Sequence, residues 1–454
     1  MPNRITRLFL FHLALCLCST TQAAGWKAGA AKVNITPQTP MWMSGYGGRD
    51  HVAEGKLTDL WVKCLLLEDP AGGRAAIVTL DLCGIDRPLS QAVCQEIEKK
   101  YGLERRRILL NCSHTHTGPV VGGNLAAMYF LDETQQKLVD DYAVTLRQNM
   151  IDVVGQAIEA LAPCELAWGQ GKATFAVNRR NNVEANVPML REAGQLKGPV
   201  DHAAPVLRVT GADGELRAVL FGYACHATVL SFYQWSGDWP GFAQMLLEQN
   251  HPGAIALFWA GCGADQNPLP RRTVELAAEY GHRLAEVVET VLDGPLAPIA
   301  GNLAADYAEV PAPFAQLPTR EQLEKETESK DVYAASRSKR LLAQIDGGQP
   351  LSPTYPYPVQ AWKLGDGPLF ISLGGEVVID YALRIKAELG TRTWIAGYSN
   401  DVMAYIPSRR VLGEGGYEGA SSMTIYGQPT TWGPEIEETI MRQIHASAKA
   451  VGGE

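Results

Sequence analysis

Short apolar runs alternate with amphipathic stretches along this chain, and that alternation limits its architecture more than any other feature. Val62 to Leu67, Ala76 to Leu82 and Ile108 to Cys112 have the length of buried strands and are bounded by Gly, Asp or charged residues. Leu89 to Tyr101 between them has helical spacing. A long helix is predicted from about Glu133 to Leu161, because Leu138, Tyr142, Leu146, Met150, Val153, Ala157 and Leu161 recur at spacings of three and four and share one face. Further strands are expected at 205–209, 218–224, 255–260, 369–373 and 393–396, with helices over 240–249, 273–292, 377–389 and 434–450. The charge-rich stretch 319–344 reads as a solvated surface helix. The order predicts an α/β fold with a mixed or largely parallel sheet and flanking helices. In such sheets chemistry collects on the loops beyond the strand ends.

The N-terminus reads as a targeting segment. Arg4 and Arg7 precede the apolar run Leu8 to Cys18, and Thr21-Gln22-Ala23-Ala24 supplies small residues for cleavage. Residues 1–23 are therefore expected to be a signal peptide and residues 24–454 one large domain, exported to the periplasm or the exterior. The apolar run is too short to span a membrane comfortably, and no later stretch is long enough. Beyond it lie Cys64, Cys83, Cys94, Cys112, Cys164, Cys225 and Cys262, with no C-x-x-C. That excludes a zinc ribbon or thioredoxin motif. These cysteines read as small buried residues, with a disulfide as the alternative. Asp+Glu number 49 against 40 Lys+Arg, which argues against a nucleic-acid binder.

Five strand-end segments carry polar residues suited to chemistry. Asn111-Cys112-Ser113-His114-Thr115-His116-Thr117-Gly118-Pro119 follows an apolar run directly. Histidines at i and i+2 share one side of an extended chain, which suits a metal; the alternative is two histidines capping a loop. His226 closes the run Phe221 to Cys225, and Asp238 beyond it reads as a helix cap. Ala260-Gly261-Cys262-Gly263 offers either backbone N–H groups for an oxyanion or a plain tight loop. Glu376 follows Gly374-Gly375, as a ligand, a base or a first-turn glutamate. Residues 397–407 and 416–421 are loops rich in Tyr, Gly and Asn, a composition of ligand-binding loops.

Taken in order, these segments resemble the neutral, non-lysosomal ceramidases. The matching stretches include Ala31 to Pro37, Met43 to Gly47, Asp81-Leu82, His114 to Pro119, Asn178-Arg179, His226, Ser236 to Asp238, Asp265 to Pro268, Gly375-Glu376, Ser399-Asn400, Tyr405 and Tyr417 to Ser421. The resemblance implies one Zn2+ held by His114, His226, Glu376 and Tyr405. It implies substrate contacts from His116, Arg179 and Tyr417, with the Gly45 loop nearby. The implied substrate is the amide bond of ceramide, cleaved to a sphingoid base and a fatty acid. A small-molecule or lipid substrate is thus expected, with peripheral membrane contact and no nucleic acid.

Asn267 stands where family members carry a serine. An amide is no nucleophile but can donate to an oxyanion, so catalysis by His116, Asn267 and Tyr405 around a metal-activated water is expected. Family members continue into a C-terminal β-sandwich, which this chain is expected to lack. The rival readings are a zinc hydrolase of the same scaffold acting on another ester, amide or acyl-glycan, and a binding protein with a relict site.

Overall fold

The computed structural model describes residues 25–453. The predicted signal peptide lies outside the described residues. Eight strands make the main path of a mixed sheet: β1 Lys27–Asn34, β2 Trp61–Glu68, β3 Arg74–Leu80, β4 Ile108–Cys112, β5 Ala162–Lys172, β6 Ala203–Gly211, β7 Leu216–Tyr223 and β8 Ile255–Ala260. Their order is β8-β7-β6-β5-β1-β2-β3-β4. Only β3 with β4 and β7 with β8 run parallel; the other neighbours on this path are antiparallel. A second sheet has the order Leu303–Pro313, Thr354–Leu364, Leu369–Leu373, Trp394–Ala396. The fold is thus mixed α/β, and its parallel pairs are those whose ends carry the predicted histidines.

The two sheets pack face to face. Leu65, Leu67, Ile77, Leu207, Leu220 and Trp259 of the first meet Trp362, Phe370 and Trp394 of the second in one buried cluster. The opposite face of the first sheet is covered by helices Glu133–Glu159, Asp238–Asn250 and Val274–Asp293, while Ile436–Ala450 covers the second sheet. This explains why Trp61–Glu68 reads as a continuous apolar run: Leu65 and Leu67 face one layer, Val62, Cys64 and Leu66 the other. Six of the seven described cysteines are buried and all are free, as the core reading expects.

The structure corrects three expectations. The stretch 319–344 forms two helices, Arg320–Glu326 and Val332–Asp346, because Asp331 caps a new start after the first ends. It is also not merely solvated: Tyr333 Oη donates to Gly47 O at 2.9 Å. Asp238 is not the N-cap of its helix. Gly237 holds that position, and buried Asp238 (φ 52°) accepts instead from the Leu230 and Trp239 N–H groups. Strands at 27–34, 162–172, 303–313 and 354–364 do not stand out in the sequence. They are rich in Ala, Gly and Pro, and sheet pairing overrides weak intrinsic preference.

The ends of the first sheet return to each other. Asn111 Oδ1 at the end of β4 accepts from Ala260 N of β8 at 2.9 Å. The same side chain donates to Gly397 O at 2.7 Å and to Ser399 Oγ at 3.1 Å. One asparagine thereby gathers three strand ends.

Candidate metal centre

His114 leaves β4 with φ 62°, a left-handed conformation that costs a non-glycine residue roughly 1–3 kcal/mol. Its N–H donates to Leu82 O, and its Nδ1 lies 2.6 Å from Cys83 O. His226, just beyond β7, has Nδ1 2.7 Å from Gly263 O, while Trp239 Nε1 donates to its carbonyl at 2.8 Å. Both Nδ1 atoms face carbonyl oxygens, which can only accept. Nδ1 therefore carries the proton, and neutral rings have a free lone pair on Nε2.

Glu376 and Tyr405 come from a two-residue parallel ladder, Glu376–Val377 against Tyr405–Ile406. Glu376 thus precedes the helix Ile379–Leu389 and is not a first-turn residue. Its Oε1 accepts from Tyr426 Oη. Its Oε2 lies 3.1 Å from His114 Nε2 and 3.1 Å from His226 Nε2. Tyr405 Oη is 3.4 Å from His226 Nε2. All four residues are buried.

The electrostatics call for positive charge at this point. Burial pushes the His226 imidazole down to about 4, helped by the Arg179 cation. A neutral ring therefore aims its lone pair at a carboxylate oxygen that has no hydrogen-bond donor. Burial works against charge on His114 and Glu376 too. Their mutual attraction outweighs it, raising His114 well above and holding Glu376 well below the usual ranges, so without an ion His114 takes a second proton and supplies the positive charge itself. A cation among two imidazoles, a carboxylate and a phenol satisfies all of these atoms, and the donor set is one that zinc accepts. The ligand atoms of His114, His226 and Glu376 lie within 4.8 Å of one another, and a second group, Cys83 with His114 and His116, adjoins them.

The other predicted residues border this centre. His116 Nε2 lies 3.1 Å from His114 Nε2, and its Nδ1 has no partner. Burial and the two neighbouring imidazoles keep His116 neutral. Gly45 (φ 96°) lies against the same ring: a Cβ there would be 2.4 Å from His116 Cγ, so only glycine fits. Arg179 Nη2 donates to Tyr405 Oη at 3.1 Å and Nη1 to Asn267 Oδ1 at 3.3 Å. The neighbours meet because strand 176–178 pairs with 266–268. Tyr417, 44% exposed, sets its ring edge-on to Tyr405 at 5.1 Å. The structure thus brings His114, His116, His226, Glu376, Tyr405, Arg179, Asn267, Tyr417 and Gly45 to one place.

The glycine loop after β8 holds His226. Gly261 N and Ala264 N donate to Tyr223 O and Val377 O, so neither is free for an oxyanion. Sequence reasoning assigns no role to Tyr426, Glu418 or Tyr398. Glu418 binds Arg179 Nε at 2.8 Å, and the Tyr398 ring lies 4.4 Å from that of His114. Glu418 stands inside a motif already singled out, so proximity to Tyr417 is its signal. Tyr426 has none.

Fold and site together define a mixed α/β protein with a buried centre suited to a metal ion at its strand ends. Residues 26–260 match the family described as neutral/alkaline non-lysosomal ceramidase, N-terminal, and the chain belongs to that family of hydrolases. It is similar to neutral ceramidase of Drosophila melanogaster, 23% identical over 300 residues, covering 65% of this chain and 40% of that one. It is also similar to neutral ceramidase A of Dictyostelium discoideum, 24% identical over 241 residues, covering 52% and 33%. The chain therefore spans less than half the length of these curated relatives. The crystal structure of neutral ceramidase from Pseudomonas aeruginosa shares the fold, with a TM-score of 0.70 at 20% identity over 94% of this chain and 75% of that one.

Proposed function

We propose that this chain is an exported, zinc-dependent hydrolase that cleaves the amide bond of ceramide or a related N-acyl amine. One observation carries the reading: Glu376 Oε2, buried and without a donor, stands 3.1 Å from the Nε2 atoms of both His114 and His226. His114, His226 and Glu376 would hold the ion and Tyr405 would complete the set. When bound, zinc supplies a Lewis acid and lowers the pKa of a water from about 15.7 toward about 7.

The chain's own residues supply the rest. Arg179 fixes the Tyr405 hydroxyl and the Asn267 carboxamide by hydrogen bonds. Tyr405 Oη, which accepts from Arg179, would turn toward the ion, next to the place where an oxyanion would develop. Asn267 has its oxygen on Arg179, which leaves its N–H2 end to donate to that oxyanion. His116, neutral at rest, would take a proton at Nε2 and pass it to the leaving amine. Tyr417 lies at the rim, where it would meet the substrate head group.

Release of fatty acid from ceramide by the zinc-loaded protein, abolished by chelation and restored by zinc, tests the reading. A zinc-loaded protein that releases nothing from any N-acyl amine contradicts it. Export rests on Arg4, Arg7 and the apolar run that follows. The mass of the mature chain, expected to begin at residue 24, tests that part.

A further inference from the structure

Arg49 is a cation placed where the fold gives it no anion. At 7% exposed it is the one buried arginine among the described residues, and no carboxylate pairs with it. Its guanidinium faces the rings of Tyr46 and Tyr233, 5.0 and 5.6 Å from their centres. Nη1 donates to Ser44 O at 2.7 Å and Nη2 to Phe232 O at 3.2 Å, while Nε has no partner. Enclosing a charge without an opposite one is unfavourable, and an apolar side chain of similar volume would fill the space with less penalty.

The two carbonyls belong to the loops that enclose His116. On one side, Ser44 leads into Gly45, which lies against the imidazole, and Tyr46 sets its ring edge-on to it with centres 4.7 Å apart. On the other side, Ala227 O accepts from His116 N at 3.2 Å, and Leu230 O accepts from Tyr46 Oη at 3.2 Å. Arg49 closes this circuit by tying residue 44 to residue 232. Resting on the reading in which His116 hands a proton to the leaving amine, we propose that Arg49 is a positioning residue: its planar fork clasps the two loops together and thereby fixes the His116 ring. A guanidinium suits the task because its donors have a fixed spread, whereas a lysine ammonium is one compact head on a flexible stem.

Arg49→Met and Arg49→Lys test this beside the wild type, all as full, zinc-loaded chains, by steady-state kinetics on ceramide, zinc content and crystal structures. Both variants should keep zinc at the wild-type level. Their kcat should fall about 10–100-fold with KM within about twofold, because a small misplacement of a reacting group costs rate more than binding. In the structures, the His116 ring should stand about 1 Å or more from its wild-type place. Arg49→Lys keeps the charge and can keep one bond, so it carries the test where the methionine variant does not fold. Wild-type kcat in either folded variant, or a His116 ring in its wild-type place, overturns the inference. Zinc lost in step with rate overturns it too, since Arg49 would then be supporting the ion's ligands. If the wild-type chain cleaves no N-acyl amine, the hydrolase reading fails and the position of the ring alone decides the clasp, so the two fail separately.

Discussion

Glu376 and Tyr405 are direct register partners in a parallel ladder only two residues long. Side chains at such positions stand side by side, so the carboxylate and the phenol reach the same point from segments far apart in sequence. Each is then fixed from outside, Glu376 by Tyr426 and Tyr405 by Arg179. The ladder positions both groups without either belonging to a long element.

Tyr426 should act on metal affinity. Its hydroxyl holds one Glu376 oxygen and leaves the other facing the imidazoles. Loss of such an outer contact typically weakens metal binding about 10–100-fold. Tyr426→Phe should therefore bind zinc that much more weakly in a competition with a chromophoric chelator, while still taking up the wild-type amount at saturation.

Asn267→Ala should keep zinc and lose rate. The carboxamide touches Arg179 and is not among the four candidate ligands. Removing one oxyanion donor typically costs about 10²–10³ in kcat. Metal analysis and steady-state kinetics on the same preparation separate the two effects. Lost zinc would place Asn267 in the ligand set instead.

Gly45→Ala should misplace His116. The new Cβ would lie 2.4 Å from His116 Cγ on backbone already at φ 96°. Activity should fall sharply with zinc retained, and thermal unfolding should shift down. Wild-type kinetics in this variant would show that the ring has room to move.

Asp401 should make stability fall as pH rises. Burial pushes its carboxyl up from 3.8 to about 7, although Tyr355 Oη donates to it and opposes the rise. The folded chain therefore binds this proton more tightly than the unfolded chain. Its contribution is full below pH 3.8 and is lost as pH climbs through about 7. A tenfold difference in proton affinity is worth about 1.4 kcal/mol, which makes the effect a few kcal/mol at most. Asp401→Asn should match wild type in chemical denaturation at acid pH and exceed it at pH values above about 8. Parallel curves across the range would sink the assignment.

Much of the fold is legible in the sequence because its buried strands are continuous apolar runs: Ile108–Cys112, Ile255–Ala260 and Leu369–Leu373 have the boundaries the pattern predicts. His114, His116 and His226 are legible for the same reason, since each follows such a run within a few residues. Glu376, Tyr405, Arg179 and Asn267 are not readable from periodicity. They sit on or beside ladders of two or three residues, too short to carry any repeat; Glu376 stands out only by its place after Gly374-Gly375, and the roles of the other three come from the family resemblance. Tyr426 ends a four-residue helix, Ser422–Ile425, and only the folded chain brings it to Glu376. The charge-rich stretch 319–344 misleads because composition does not show that Tyr333 reaches across to the Gly45 loop.

The most direct test of the account is the zinc content per chain of the purified wild-type protein beside His114→Ala, both prepared with zinc present. The account predicts about one zinc per wild-type chain and essentially none in the variant. A wild-type chain free of zinc, or a variant that retains it in full, would contradict the account at its centre.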